Sequence, residues 1–547
     1  MGEYERRKSK GEETGQAIKR TTFYYVKRFL FGGYLITVLL LLAQIAGIGV
    51  VCFLLDEYAR VLLEGSTIFG VIIMIIIITS DKATPETKLS WSVIIALFPI
   101  GGALLYLYVK FNVGTIRSRS VLRNIIEETE RYICNEGVAQ AVLMSDKTDV
   151  TKLVKYMTAQ GHTNTYSELS TEYYKLGDDI FEPLCADLEA AEQFIFLEFF
   201  MIEEGVFWNR ILSILEKKAA AGVCVRVMYD DLGCSTLLKR NYPKELIRLG
   251  INVRTAGKIT PFMSTRYNNR DHRKILVVDG KVAYTGGFNL CDEYINVYEK
   301  YGHWKDNGIR VTGDAVKQFT MMFLQMWNAT GEWRARYSRD LWRNIEQDLI
   351  KYVGSGGECK IAAETSGLLI PYTDGPHQQE AIAKYVYKDI INNATRYVWI
   401  MSPYLILDHA METLLLHAAK SGIDVRLVLP HIPDKKIPFK IAQSYYPTLL
   451  EAGVGIYEYN PGFVHAKTVI SDDRIATVGT VNLDYRSLYL HYENGCVLYD
   501  VPCIERIKED FEETFSRCLS VDLKYYGSIS PLDRLFGRVM RLFGPLM

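Results

Sequence analysis

The chain has 547 residues, enough for a large core or several domains. Its formal net charge of −1 excludes the general basic character of a nucleic-acid binder. Its ten cysteines include no Cys-x-x-Cys pair and no Cys/His cluster at zinc spacing, so they read as free, mostly buried thiols in a reducing environment.

Residues 1–28 form a polar arm with eight Lys or Arg and four Glu, and no small-residue cleavage site follows a short apolar stretch. Residues 29–55, FLFGGYLITVLLLLAQIAGIGVVCFLL, carry no charge and are long enough to span a bilayer as a helix. Two more apolar stretches follow, at about 61–80 and 89–109, the latter interrupted by Pro99-Ile100-Gly101-Gly102. They predict a membrane region over 29–111. The basic arm places the N-terminus inside, and Arg60 is the only positive charge in the loop at 56–64. Three full spans would leave the remainder outside, whereas Lys110, Arg117, Arg119 and Arg123 favour the inside. A re-entrant stretch would reconcile the two.

Residues 112–174 read as a polar, helical connector. From 175 short apolar strands such as FIFLEFF (194–200) and VCVRVMYD (223–230) alternate with helical segments, an α/β layout. A polar boundary near 330–360 separates a first block, 175–345, from a second, 346–520. The tail, 521–547, alternates Arg534, Arg538 and Arg541 with apolar residues, as in a helix that lies on a membrane or docks on the protein itself.

The two blocks share a motif. In the first, His272, Lys274, Asp279, Gly286, Gly287 and Asn289 occupy fixed positions. In the second, His465, Lys467, Asp472, Gly479, Thr480 and Asn482 match them. Five of these six positions are identical, and such a pattern repeated at equal spacing inside two similar blocks is an internal duplication. Two copies packed face to face are the simplest arrangement.

The residue types suit phosphoryl transfer. An imidazole serves as nucleophile or general acid near neutral pH. A lysine two residues along a strand shares its face and holds a phosphate oxygen. The Asp opens a tight turn, at Asp279-Gly280 and Asp472-Asp473. Gly287 and Thr480, with Asn289 and Asn482, are expected to approach the phosphate. Two copies allow one histidine to start neutral and the other protonated. Asp306 and Glu493, each preceding an Asn and a strand, are expected to orient the histidine of their own repeat.

The motif H-x-K-x4-D-x6-G-[GST]-x-N, present twice, resembles the phospholipase D superfamily. TRYNNRDHRKILVVDGKVAYTGG, VHAKTVISDDRIATVGTVNLDYRS and the apolar N-terminal segments are similar to bacterial cardiolipin synthases. The likeness covers nearly the whole chain. Asp271 stands before the first His where Asn is more usual, and the third apolar stretch departs from the two common in that family.

The resemblance implies two phospholipase D-like α/β domains, mixed β-sheets flanked by helices, behind transmembrane helices of the bacterial cell membrane. The implied catalytic set is His272, Lys274 and Asp279 with His465, Lys467 and Asp472. The implied reaction passes a phosphatidyl group from one phosphatidylglycerol to another through a phosphatidyl-histidine on His272, with His465 as acid and then base. No metal, cofactor or nucleic acid takes part, and the partners are phosphatidylglycerol and membrane lipid. The alternative is a membrane-anchored phospholipase D releasing phosphatidic acid. A nuclease of the same superfamily is disfavoured by the membrane segments and the neutral charge. A non-catalytic scaffold is disfavoured because every motif position is filled.

Overall fold

The computed structural model describes residue 46 and residues 56–81, 83–111, 113–132, 148–167, 169–257, 269–330, 339–354 and 367–546. The polar arm and nearly all of the apolar stretch 29–55 lie outside them. The chain divides mainly into one unit up to Ile116 and another from Arg117 onward.

The described residues of the first unit include the helices α1 (Asp56–Ile78), α2 (Pro85–Leu97) and α3 (Pro99–Lys110). Small residues bring them close. A Cβ at Gly70 would lie 3.1 Å from the Pro99 side chain, and one at Gly102 would lie 3.0 Å from the Ile95 backbone. Ile73, Ile77, Trp91, Ile95 and Ala103 form the buried centre. The stretch 89–109 is not one helix. Pro99 has no N–H to continue the ladder, so α2 ends at Leu97 and Pro99 starts α3 as its first residue. Among the described residues no helix is long and apolar enough to cross a membrane.

The second unit holds two sheets of the same topology. The first contains β1 (Leu169–Tyr174), β2 (Phe194–Phe199), β3 (Cys224–Asp230), β4 (Asn252–Ala256), β5 (Ile275–Val278), β6 (Val282–Gly286) and β8 (Gly308–Gly313), in the order β1-β8-β6-β5-β2-β3-β4. It begins at Leu169, inside the stretch read as connector. A separate strand, β7 (His303–Lys305), precedes β8.

The second sheet contains β9 (Leu368–Asp374), β10 (Tyr397–Met401), β11 (Asp424–Pro430), β12 (Gly455–Tyr459), β14 (Thr468–Ser471), β15 (Ile475–Gly479) and β16 (Glu493–Tyr499). Its order, β12-β11-β10-β14-β15-β16-β9, repeats the first, and β17 (Cys518–Val521) adds an edge. In each sheet the first three parallel strands are joined by helices, and an antiparallel hairpin carries the motif.

Strand alternation builds three cores. Ile195 and Leu197 point to an outer core of the first repeat, and a matching core lies outside the second. Phe196, Val277 and Ile309 point the other way and join Ile470, Val478 and Leu498 in one central cluster. Helix α4 (Ala315–Ala329) lies in that centre, buried around nearly its whole circumference. The strand β13 (Gly462–Val464) pairs in parallel with β7, tying the repeats together by backbone. On the second repeat, α5 (Lys436–Glu451) packs against the tail helix α6 (Pro531–Arg541).

Candidate active site

Each motif histidine sits just ahead of a hairpin strand and is tied by its backbone to the opposite repeat. The His272 N–H donates to Tyr492 O at 2.9 Å, and the His465 N–H donates to Lys305 O at 2.7 Å. The side chains follow the same rule. His272 Nδ1 bonds Glu493 Oε2 at 2.8 Å, and His465 Nδ1 bonds Asp306 Oδ2 at 2.7 Å. Both carboxylates are fully buried. Asp306 and Glu493 therefore orient the histidine of the other repeat, not of their own. The cause is the face-to-face packing: each carboxylate lies at the central face, where the nearest imidazole belongs to the partner sheet. With Nδ1 held by a carboxylate, Nε2 is the nitrogen left to react.

The supporting amides cross over too. Asn494 Oδ1 accepts from the Lys274 N–H at 3.0 Å, and its Nδ2 donates to Thr285 Oγ1 at 2.8 Å. Asn307 Nδ2 donates to Thr468 Oγ1 at 2.6 Å.

Burial governs the charges. Lys274 is pushed down to about 8 and Lys467 to about 7, chiefly by loss of water, with nearby carboxylates opposing the shift. Burial would raise the Asp306 carboxyl, but His465 and Lys467 hold it below its ordinary value. His272 is held well below its usual range by burial, then by Lys274 and Lys467. His465 is lowered to about 4 by burial and Lys467, and Asp306 opposes the shift. Both imidazoles are thus neutral near pH 7. Near pH 7 Lys274 keeps most of its charge and Lys467 about half, so an arriving phosphodiester anion brings room for a further proton. His465 is the readier to take it.

Lys274 Nζ donates to His272 O at 2.7 Å, and Lys467 Nζ donates to His465 O. The Lys467 ammonium also lies 2.7 Å from His465 Nδ1, which cannot accept while it donates to Asp306. We assign the Nδ1 proton to the Asp306 contact, because a carboxylate is the stronger acceptor.

All four residues expected at the phosphate have partners within the protein. The Gly287 N–H donates to Asn307 O at 3.1 Å, and a Cβ there would lie 2.1 Å from Asp306 Oδ1. Gly287 makes room for that carboxylate. At the matching place, the Thr480 hydroxyl donates to Glu493 Oε2. Asn289 Oδ1 accepts from the Met201 N–H at 3.1 Å, and its Nδ2 donates to Tyr294 Oη at 2.7 Å, leaving one N–H. Asn482 is buried and bonds Asp484.

Asp279 and Asp472 are not at the chemistry. Both sit at positive φ, 53° and 57°, in the two hairpin turns, followed by Gly280 at 65° and Asp473 at 62°. Asp279 accepts the backbone N–H groups of Glu192, Gln193 and Phe194, each at 2.7 Å. Asp472 accepts those of Thr395, Arg396 and Tyr397. A four-residue strand separates each from its lysine, so these carboxylates pin the far end of the hairpin to the start of β2 or β10.

Several neighbours escape a motif search. Phe200 lies 5.1 Å from the His272 ring, and Tyr294 and Trp304 lie 5.3 and 5.4 Å from that of His465. Lys435 adds to the depression of His272. Phe200 and Lys435 follow β2 and β11, and the carboxyl ends of parallel strands are where such sheets bind ligands. On either side of His272, Arg273 bonds Glu198 and lies 3.5 Å from Asp271.

Among the described residues, His272, His491 and Glu493 bring three possible metal ligands within 4.8 Å of one another, as do Glu203, Cys291 and Glu293. At the first cluster Lys274 and Lys467 oppose a cation.

Comparison with known proteins agrees with this architecture. A family model described as "Cardiolipin synthase, PLD-like domain" matches residues 184–327 and 387–515, and one described as "Phospholipase D-nuclease N-terminal" matches 68–110. A cardiolipin synthase of Geobacillus kaustophilus is 33% identical over 87% of this chain and 92% of its own length. One of Clostridium perfringens is 31% identical over 85% of this chain and 95% of its own. The chain belongs to the cardiolipin synthase family. An uncharacterized protein of Streptococcus mutans is more similar, 42% identical over 84% of this chain and 96% of its own. The crystal structure of a phosphatidylserine synthase from Haemophilus influenzae shares the fold, with a TM-score of 0.53 at 14% identity over 73% of this chain and 98% of its own. The cardiolipin synthase family membership thus rests on both repeats and on the N-terminal helices.

Proposed function

We propose that the chain is a phosphatidyltransferase that makes cardiolipin and glycerol from two phosphatidylglycerols. The observation that carries this reading is the crossed pair of buried, neutral imidazoles, each beside a lysine, in a member of the cardiolipin synthase family. His272 Nε2 attacks phosphorus and the P–O bond to glycerol breaks. His465, protonated when the phosphodiester binds, gives its proton to the departing glycerol oxygen. The primary hydroxyl of a second phosphatidylglycerol then loses its proton to His465 and attacks phosphorus, and the P–N bond to His272 breaks. Lys274 and Lys467 neutralise charge on the non-bridging oxygens, and the remaining N–H of Asn289 adds a donor. Asn482 holds the matching place in the second repeat. The apolar neighbours Phe200, Tyr294 and Trp304 limit water, which would divert the intermediate to phosphatidic acid.

The same reading places the chain in the bacterial cell membrane as a multi-pass protein. On sequence hydropathy alone, the uncharged stretch 29–55 is read as one span and the apolar stretch at about 61–80 as a second. The break at Pro99 makes α2 and α3 a re-entrant pair, which returns the catalytic unit to the side of the basic arm. Labelling of Cys518, which is partly exposed, in intact and permeabilised cells tests this.

The deciding assay incubates detergent-purified protein with phosphatidylglycerol alone. Cardiolipin and glycerol in equal amounts are expected. Phosphatidic acid as the main product, without cardiolipin, would establish the hydrolase instead.

A further inference from the structure

The tail helix α6 presents a face that the fold does not use. Its inner side is fixed to the second repeat by small and polar residues. A Cβ at Gly537 would lie 2.3 Å from Lys440 O, so the two helices touch there. Asp533 pairs with Lys440 of α5 at 3.2 Å, and Arg541 pairs with Glu412.

The large apolar residues point outward. Leu532, Leu535, Phe536 and Val539 follow the i, i+3, i+4, i+7 spacing of a single stripe. They are 78, 59, 44 and 49% exposed. A surface helix of a soluble domain normally buries such a stripe. Here polar contacts anchor the helix and leave the stripe open.

Charge points to the occupant. Asp533 and Arg541 are neutralised in their ion pairs. Arg538 is exposed, borders the stripe and has no carboxylate partner among the described residues, leaving that edge positive, whereas Arg534 turns inward. Arg534 lies over the Tyr526 ring, 5.6 Å from its centre. At the start of α5 the exposed Ile432 and Ile437 add further apolar surface. Between them in sequence stands Lys435, whose charge reaches His272. α5 begins just past the carboxyl end of β11, the same end of the sheet at which Thr468, three residues after His465, pairs with Met401 of the parallel neighbour β10.

We propose that α6 is an interfacial helix that seats the catalytic unit on an anionic bilayer. The stripe enters the boundary between headgroups and acyl chains, and Arg538 meets lipid phosphate. The helix then holds the mouth of the site at the level of the phosphodiester it acts on, a role that rests on the proposed lipid reaction. The membrane contact itself does not depend on turnover.

The test uses the full chain reconstituted in vesicles, with a photoreactive benzophenone amino acid replacing Phe536. Illumination should yield adducts with phospholipid, several-fold more in phosphatidylglycerol than in phosphatidylcholine vesicles. Cross-linking to a second copy of the chain, or no lipid adduct, would overturn the proposal. A second arm makes the double variant Leu535→Gln, Phe536→Gln. Cardiolipin formation from vesicles should fall about tenfold, while activity in mixed micelles with saturating lipid stays unchanged. No loss on vesicles, or an equal loss in micelles, would overturn it. A wild type that cross-links lipid yet makes no cardiolipin would count against the reaction alone.

Discussion

The imidazole of His272 and the carboxylate of Glu493 meet at 2.8 Å across 221 residues of sequence. His465 and Asp306 repeat the relationship in reverse. Neither repeat supplies both its motif histidine and the carboxylate that holds it.

The two histidines divide the work unequally, because Asp306 props up the basicity of His465 while His272 is held lower. His272→Ala should abolish the acid-labile phosphoenzyme formed from labelled phosphatidylglycerol. His465→Ala should still form it, slowed by about 10²–10⁴ from loss of the general acid. The reverse pattern in a rapid-quench experiment would exchange the roles.

Removing either carboxylate should cost about 10²–10⁴ in kcat by releasing the tautomer and the ring orientation. The pH profiles should separate them. Asp306 raises the pKa of His465, so Asp306→Asn lowers it further. The alkaline limb of phosphoenzyme formation, which reports loss of the His465 proton, should then start at lower pH. An unmoved limb would remove Asp306 from this role.

Thr480 and Gly287 serve the carboxylates. Thr480→Val should lower kcat about tenfold through the lost bond to Glu493, with KM little changed, and Thr480→Ser should restore most of it. Gly287→Ala should displace Asp306 and reproduce the defect of Asp306→Asn. Steady-state kinetics on the four variants checks both statements.

Asp279 and Asp472 should be stability residues. Burial pushes the Asp472 carboxyl up, but the N–H groups of Tyr397, Thr395 and Arg396 outweigh it and leave it below its ordinary value. A depressed folded pKa stabilises above the unfolded value near 4, and that contribution is lost as pH falls through the folded one. Asp472→Asn should cost about 1–3 kcal/mol at pH 7 and little at pH 3, while kcat per folded molecule is kept. Thermal melts at both pH values, with an active-site titration, decide it.

Asp271 carries the opposite sign. Burial raises its carboxyl, and Arg273 offsets only part of that. A raised folded pKa costs stability above the unfolded value, so Asp271→Asn should stabilise by about 1 kcal/mol at pH 8, and the gain should vanish by pH 4. A lower Tm at pH 8 would show that the Arg273 contact matters more than the burial.

The sequence made the duplication legible because strand period and turn chemistry are local. His-x-Lys ahead of an apolar run, then Asp and a second run, is a hairpin in any context. The same locality hid what matters most at the site. Asp306 stands near the first motif in the chain, so sequence proximity pairs it with His272, whereas packing gives it to His465. Asp279 looked catalytic by position in the motif, but a tight turn with two positive φ values sends its carboxylate to the far end of the strand. Gly287 and Thr480 occupy equivalent places with different duties, which only the carboxylates beside them explain. Pro99, by contrast, broke the third apolar stretch for a reason visible in its own ring.

The crossed pairing also acts as an assembly check during synthesis. The first half emerges from the ribosome with His272 but without Glu493. A nascent or half-unfolded chain is therefore chemically mute toward the lipid around it, and reactivity begins only when the second half has closed on the first.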